Sequence, residues 1–433
     1  MPLICGHDAP PYHLPVCEHI RTAPEPLDHH LHYTGRGMDR QRICAACRTA
    51  ATGGTAVPTA RLCEPCFDAT AGATLGVTGL PQTLDAARPV AGPGPLLPLP
   101  ASAGPVVDLA PTAGGLLLLT EDGRILAWDP DGGTPLERGR SAVRVPEDAK
   151  PWSGHDKVRR LHASPDGRFA AVVVDFGRHG EVIDLTTGAV TMRLENDGYY
   201  EHTVPFSLAF TTHEGRTVLL HRRRWNRVEA ADPATGELLA LMPDREPQSA
   251  WSHHFHGALH LSPAGTRIAS DAWLWHPLGE PVTWELRRWL DEGARAALDT
   301  LGFRRLPGCE YHWNRPMVWL DEARLVIGGI GDDEEELVPG ATVVDVTRSE
   351  DHAVRGWGPA RIAEFGGPQG RFFAGNGLLF SSSPAGLEIW DPVVGARTGT
   401  VPDFHPTHHD PFRGELLELS ASGLRRRPTS ETA

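Results

Sequence analysis

Ser164-Pro-Asp-Gly-Arg-Phe-Ala-Ala-Val-Val-Val174, followed ten residues on by Asp184-Leu-Thr-Thr-Gly188, decides how most of this chain folds. The first stretch sets a tight turn ahead of a short run rich in valine. Gly supplies the positive φ of a hairpin, and Asp favours the same backbone region. The second stretch ends one strand and turns the chain into another. The first turn recurs as Glu121-Asp-Gly123, Ser262-Pro-Ala-Gly265 and Ser420-Ala-Ser-Gly423. The second recurs as Asp129-Pro-Asp-Gly-Gly133, Asp232-Pro-Ala-Thr-Gly236 and Asp391-Pro-Val-Val-Gly395. Turns this dense, with strands of about 4–8 residues between them, predict a mainly β fold. Their recurrence every ~40–50 residues predicts a β-propeller.

Trp128-Asp129 and Trp390-Asp391 end strands as the Trp-Asp dipeptide does in WD-repeat proteins, which residues 105–427 resemble. Gly154-His155 stands in register with that family's Gly-His dipeptide ahead of Ser164, and the other blades lack it. Counting hairpins gives blades beginning near 105, 157, 203, 255, 310, 360 and 403, hence seven. The last segment, Phe404 to Arg427, is too short for a full blade, so Pro95-Leu-Leu-Pro-Leu99 is expected to supply its missing strand and close the ring. One segment departs from the pattern. Leu286, Trp289, Leu290, Ala294, Ala297, Leu298 and Leu301 share a helical stripe, which predicts a helical insertion near 284–301 with Thr283 as its N-cap.

The composition agrees. Of 433 residues, 40% are hydrophobic and 22% charged, and 47 Gly with 39 Pro favour turns over long helices. The net charge of −14 argues against attraction of the whole chain to nucleic acid or anionic lipid. Neither a run of about 18 apolar residues nor a signal-peptide pattern is visible, so the expectation is a soluble, cytoplasmic protein with no membrane partner. In a reducing compartment paired cysteines more often mean metal than disulfide. Six of the seven, Cys5, Cys17, Cys44, Cys47, Cys63 and Cys66, fall near the N-terminus.

Cys44-Ala-Ala-Cys47 and Cys63-Glu-Pro-Cys66 form two knuckles at a spacing that resembles zinc-ribbon and treble-clef fingers. Together they offer the four thiolates that Zn²⁺ takes in a structural site. Upstream, Cys5-Gly-His7 and Cys17-Glu-His19 offer a mixed set for a second Zn²⁺. Two arrangements stay open: each half closes its own site, which the 24-residue gap between His19 and Cys44 favours, or the pairs interleave as in cross-brace folds that resemble RING modules. His29, His30 and His32 lie in that gap; they could replace His7, but read better as solvated loop residues. Residues 1–70 thus form a metal-binding module, and the Ala/Gly/Pro-rich residues 71–104 a flexible linker.

The module carries six arginines against seven acids, which favours a protein partner over nucleic acid. A search for chemistry assigns no catalytic residue and no organic cofactor. Gly-x-Ser-x-Gly, His-Glu-x-x-His and Gly-x-x-x-x-Gly-Lys are all missing from the sequence. His254, His256 and His260 would share one strand face by period two, with His253 beside them, and read as polar residues at the top of a blade. Asp332 to Glu336 reads as a solvated acidic loop, Arg222 to Arg224 as a local basic stripe, and Cys309 as a small core residue. The expected function is a non-catalytic adaptor for protein partners that the sequence does not name. The alternatives are a propeller enzyme with a metal or quinone in its channel, since the hairpins at 184–188 and 232–236 also resemble those of quinoproteins, and a zinc module that binds nucleic acid.

Overall fold

The computed structural model describes residues 5–12, 14–34, 40–80, 84–146, 155–241, 254–274, 278–297, 303–331, 333–352 and 356–430. Seven sheets follow one another from residue 106 onwards, and an eighth, five-stranded sheet precedes them. The first strands of the seven are Val106–Thr112, Val158–Ala163, Leu208–His213, Phe255–Leu261, Met317–Trp319, Arg371–Gly375 and His408–Asp410. Each lies beside its neighbours' first strands around a common axis, which makes the array a seven-bladed propeller.

The repeated Asp explains the regularity of the blades. Asp184 Oδ1 accepts from the backbone N–H groups of Thr186 and Thr187, and Asp391 Oδ1 from those of Val393 and Val394. Asp129 and Asp232 each accept from the N–H two residues on. Such Asx turns fold the chain into the outermost strand. The glycine ending the motif sits at φ +74° in Gly188 and +67° in Gly395, where a Cβ is strained. Within blade six, Trp390 Nε1 donates to the buried Ser381 Oγ at 2.9 Å.

The seventh blade has strands His408–Asp410, Glu415–Ser420 and Gly423–Pro428. Its outer edge is completed by the segment before the first blade: Leu97 and Leu424 exchange N–H···O bonds of 2.9 Å, and Gly94 N donates to Arg426 O. The ring is therefore closed by an early piece of chain lying on the last sheet.

The helical insertion is shorter than its sequence stripe. Helices run over Leu286–Glu292 and Ala294–Ala297, while Leu298 and Leu301 lie outside the described residues. Leu286 and Trp289 are buried with Trp284, Val218, Leu220 and Val228, so the insertion packs where blades three and four meet. Thr283 does not cap it. Strand Val282–Glu285 continues to pair with Arg267–Trp273 as far as Glu285, and Glu285 holds the N-cap position. The Thr283 hydroxyl instead donates to Ile268 O. Among the described residues no helix is long and apolar enough to cross a membrane.

The N-terminal sheet has strands β1 (Val16–Cys17), β2 (Leu27–Tyr33), β3 (Arg40–Cys44), β4 (Thr59–Ala60) and β5 (Ala71–Thr78), in the order β4-β1-β3-β2-β5. Much of the expected linker is ordered as strand: β5 belongs to this sheet, and β6 (Leu84–Pro89) runs parallel to Ala396–Val401 at the edge of blade six. Asp85 fixes that edge through Arg397, with Nη2 to Oδ2 at 2.7 Å. The module also touches the ring directly, because Ile330 of blade five is 1% exposed within a core of Leu14, Val16, Ile20, Leu31 and Ile43, with Val338 packed on it.

Candidate metal centre

Three short helices carry the cysteine knuckles. Cys17 is the N-cap of α1 (Glu18–Thr22), Cys44 that of α2 (Ala45–Thr52), and Cys63 that of α3 (Glu64–Thr70). His19, Cys47 and Cys66 then lie in the first turns, so each pair projects from the same end of its helix, where the backbone N–H groups favour negative sulfur.

Strand pairing decides which pairs meet. β1 runs parallel to β3 with Val16 opposite Arg42, which brings the ends at Cys17 and Cys44 together. The segment around β1 also runs antiparallel to the chain leading into α3: Val16 faces Ala60, Pro11 bridges Cys63, and Tyr12 N donates to Leu62 O. That pairing sets the chain before residue 10 against Cys63 and Cys66. Two groups result, Cys5-His7-Cys63-Cys66 and Cys17-His19-Cys44-Cys47, each with its four donor atoms within 4.8 Å of one another.

The eight sequence-selected residues thus come together, but in a partition that neither expected arrangement describes. Cys44 and Cys47 do not share a site with Cys63 and Cys66, and the pairs do not interleave; the outer pairs meet and the inner pairs meet. The gap between His19 and Cys44 does not separate two lobes, because it forms the β2–β3 hairpin, with His29 opposite Cys44. His29, His30 and His32 are buried in β2 rather than solvated in a loop, and belong to neither group. His29 and His32 bond to Thr74 and Thr78 of β5, and burial lowers the pKa of His30 and His32.

The donor sets fit a tetrahedral dication. His19 Nδ1 lies 3.1 Å from Cys47 Sγ and 3.6 Å from Cys44 Sγ. His7 Nδ1 lies 3.2 Å from Cys66 Sγ and 3.5 Å from Cys63 Sγ. Around a four-coordinate zinc, with Zn–S near 2.3 Å and Zn–N near 2.0–2.1 Å, the N···S edge is ~3.5 Å. Burial and the neighbouring Cys17 and Cys44 sulfurs push the Cys47 thiol up to about 12, and the Cys63 sulfur pushes Cys66 up to about 11. Backbone hydrogen bonds from His7 and Cys63 bring Cys5 down to about 6. Thiols packed so closely disfavour one another's ionisation, and a bound dication reverses that balance.

Elsewhere the structure redistributes the other candidates. The strand Phe255–Leu261 has a bulge between His256 and Leu259, where Gly257 approaches Asp271 O too closely for a Cβ. His256 therefore faces Ala272 and His260 faces Ala269, three residues apart, which puts the two imidazoles on opposite faces. His254 is buried against Glu280 at 2.9 Å, and His253 lies outside the described residues. Arg222 leaves the expected stripe: it is 2% exposed and donates to His256 O, while Arg223 and Arg224 are exposed. Cys309 is buried. Asp333 caps a short turn at Glu334–Glu336, and Asp332 and Gly154 lie outside the described residues.

A polar network near the axis was not anticipated. Asp108 accepts from Leu161 N and from His408 Nε2, and Arg160 bridges Asp108 and Asp175. Asp175 in turn accepts from Phe206 N, so carboxylates lash successive blades together. A further group, His213, Glu214 and Asp291, is solvent-facing and lacks thiolates; its 2.8 Å contact ties the third blade to the insertion helix.

No family model matches the chain, and no curated protein matches it. Among solved structures the chain is similar to one in the crystal structure of a mitotic checkpoint complex, at 14% identity over 79% of this chain and 93% of that one, with a TM-score of 0.47. Likeness at that level supports no reading of function.

Proposed function

We propose that the protein is a non-catalytic interaction scaffold whose N-terminal module is held folded by two structural zinc ions. In this reading residues 1–70 hold the metal and residues 105–427 form the platform. Cys5, His7, Cys63 and Cys66 bind one ion, and Cys17, His19, Cys44 and Cys47 bind the other. The observation that carries the reading is the burial of Ile330 from blade five inside the core that the two donor groups flank. A four-donor set leaves no position for a substrate water, which suits a structural role. A sheet too small to bury a core alone gains its folding energy from the metals and from the ring. A reducing cytoplasm would keep the thiolates free for metal.

The test is native mass spectrometry and elemental analysis of the full chain, followed by size-exclusion of a reconstituted complex with a captured partner. Two zincs per chain and a stoichiometric complex are expected. A third metal or a quinone chromophore would contradict the reading in favour of an enzyme, and salt-sensitive binding of nucleic acid in favour of a zinc-module reader.

A further inference from the structure

The two donor groups differ in how far solvent reaches them. In the inner group Cys17, Cys44 and Cys47 are buried, at 0%, 4% and 8% exposure, and the Cys44 N–H covers the Cys17 sulfur. In the outer group Cys63 alone is buried, while Cys5 and Cys66 are half-buried. The chain around them differs as well. Cys17 and His19 enter α1, whereas Cys5 and His7 lie outside any helix or strand. Between them stands an exposed Gly6 at φ +68°, with open space where a Cβ would be.

A pocket of about 190 Å³ opens on the two accessible cysteines. Its walls are Cys5, Cys66, Leu62, Ala69, Thr70 and Arg21, so helix α1 of the inner group supplies its cation. Glu18 Oε2 accepts from Arg21 Nε at 2.6 Å and fixes the guanidinium at that wall. The volume holds several water-sized molecules but not a peptide. The donor atoms of the outer group lie within 4.8 Å of one another, so the Cys5 and Cys66 sulfurs need only a short approach to reach the ~2.05 Å of a disulfide. Reactive cysteines are partly exposed, close to a cation, and next to a second thiol that resolves the first oxidation product. Cys5, Arg21 and Cys66 meet all three conditions. In the inner group burial denies the first.

We infer that Cys5 and Cys66 form a peroxide-sensitive modification site, whose oxidation expels the ion of the outer group and spares that of the inner one. The oxidant is hydrogen peroxide, small and uncharged enough to enter the pocket. The Cys5 thiolate attacks one peroxide oxygen, the O–O bond breaks, and hydroxide leaves beside the Arg21 guanidinium, which favours the departing charge. The Cys66 thiolate then attacks the Cys5 sulfenic acid, the S–O bond breaks, and a second hydroxide leaves. Two thiolates have together lost two electrons, and one peroxide has gained them. His7 and Cys63 remain as two donors, too few for a closed tetrahedral site, and the dication departs. This assignment rests on the two-zinc reading and gives it a chemical input.

The experiment exposes the full chain, reconstituted with zinc and freed of reductant, to hydrogen peroxide in the presence of a chromophoric zinc chelator. Release of one zinc per chain is expected, about tenfold faster than release of the second. Peptide mapping should place the new disulfide between Cys5 and Cys66. Ala69→Phe, which fills the pocket from an exposed position on α3, should slow the first release about tenfold with both zincs bound at the start. Arg21→Ala should slow it about threefold. Release of both zincs at one rate, a disulfide that excludes Cys5 or Cys66, or a first release unaltered in both variants would overturn the site. A chain that holds fewer than two zincs before peroxide is added fails the two-zinc reading itself. A chain that holds two and loses neither preferentially fails this inference alone.

Discussion

The backbone N–H of Cys44 donates to the Sγ of Cys17 at 3.4 Å, across the end of a parallel strand pair. That contact joins the second cysteine pair of the chain to the third. It gives the module a nested topology, in which the outer donors close around the inner ones. In the two-zinc reading metal binding and chain path would be coupled, because each donor group joins segments far apart in sequence.

Ile330→Ala is expected to destabilise the protein by about 2–5 kcal/mol through the cavity it leaves. It should also increase proteolysis of the module. Ile330 is buried by residues of the module, so chemical denaturation and limited trypsinolysis should change together. Cleavage unchanged despite lost stability would mean that the module does not depend on this contact.

Chelation of zinc should lower the melting temperature of the ring as well as unfold the module. The coupling runs through the Ile330 contact and through β6, which the Arg397–Asp85 pair holds on blade six. Asp85→Ala alone should cost under about 1 kcal/mol, since Asp85 and Arg397 are both partly exposed and Arg397 keeps its pair with Glu388. Calorimetry with and without chelator checks the larger effect.

Trp390→Phe should cost about 1–3 kcal/mol, because it strands the buried Ser381 hydroxyl. The double variant Trp390→Phe with Ser381→Ala should recover part of the loss. A double-mutant cycle in denaturant measures it.

Burial lowers the His221 pKa to about 4. The folded value is below the unfolded one, so between about pH 6.5 and 4 the unfolded chain binds more protons and stability falls as pH falls. At most this group contributes ~1.4 kcal/mol per pH unit in that window. His221→Gln should flatten the dependence, measured as the difference from wild type at each pH with zinc in excess.

Much of the ring was legible because its signals are local. An Asp whose carboxylate caps the turn two residues on, and a Gly at positive φ, carry the hairpin in a few residues, as Asp184 and Gly188 do. The closing strand at Leu97 followed from counting strands. That these eight Cys and His residues gather was legible for the same reason, since closely spaced Cys and His pairs are a local pattern. The partition of donors was not, because it depends on β1 pairing with both β3 and β4, and register between distant strands leaves little trace in spacing. The histidine strand misled through one bulge at Gly257, although a glycine inside a strand is a recognised sign of one. The seat of the module on Ile330 has no sequence signal at all beyond an apolar residue at a strand end.

The most direct test of the nested arrangement is native mass spectrometry of the full-length double variant Cys17→Ser with Cys44→Ser. Both substitutions fall in one donor group, so the variant should keep one zinc. A double variant that binds no zinc would place Cys17 and Cys44 in different sites, as either the sequential or the interleaved arrangement requires, and contradict the account.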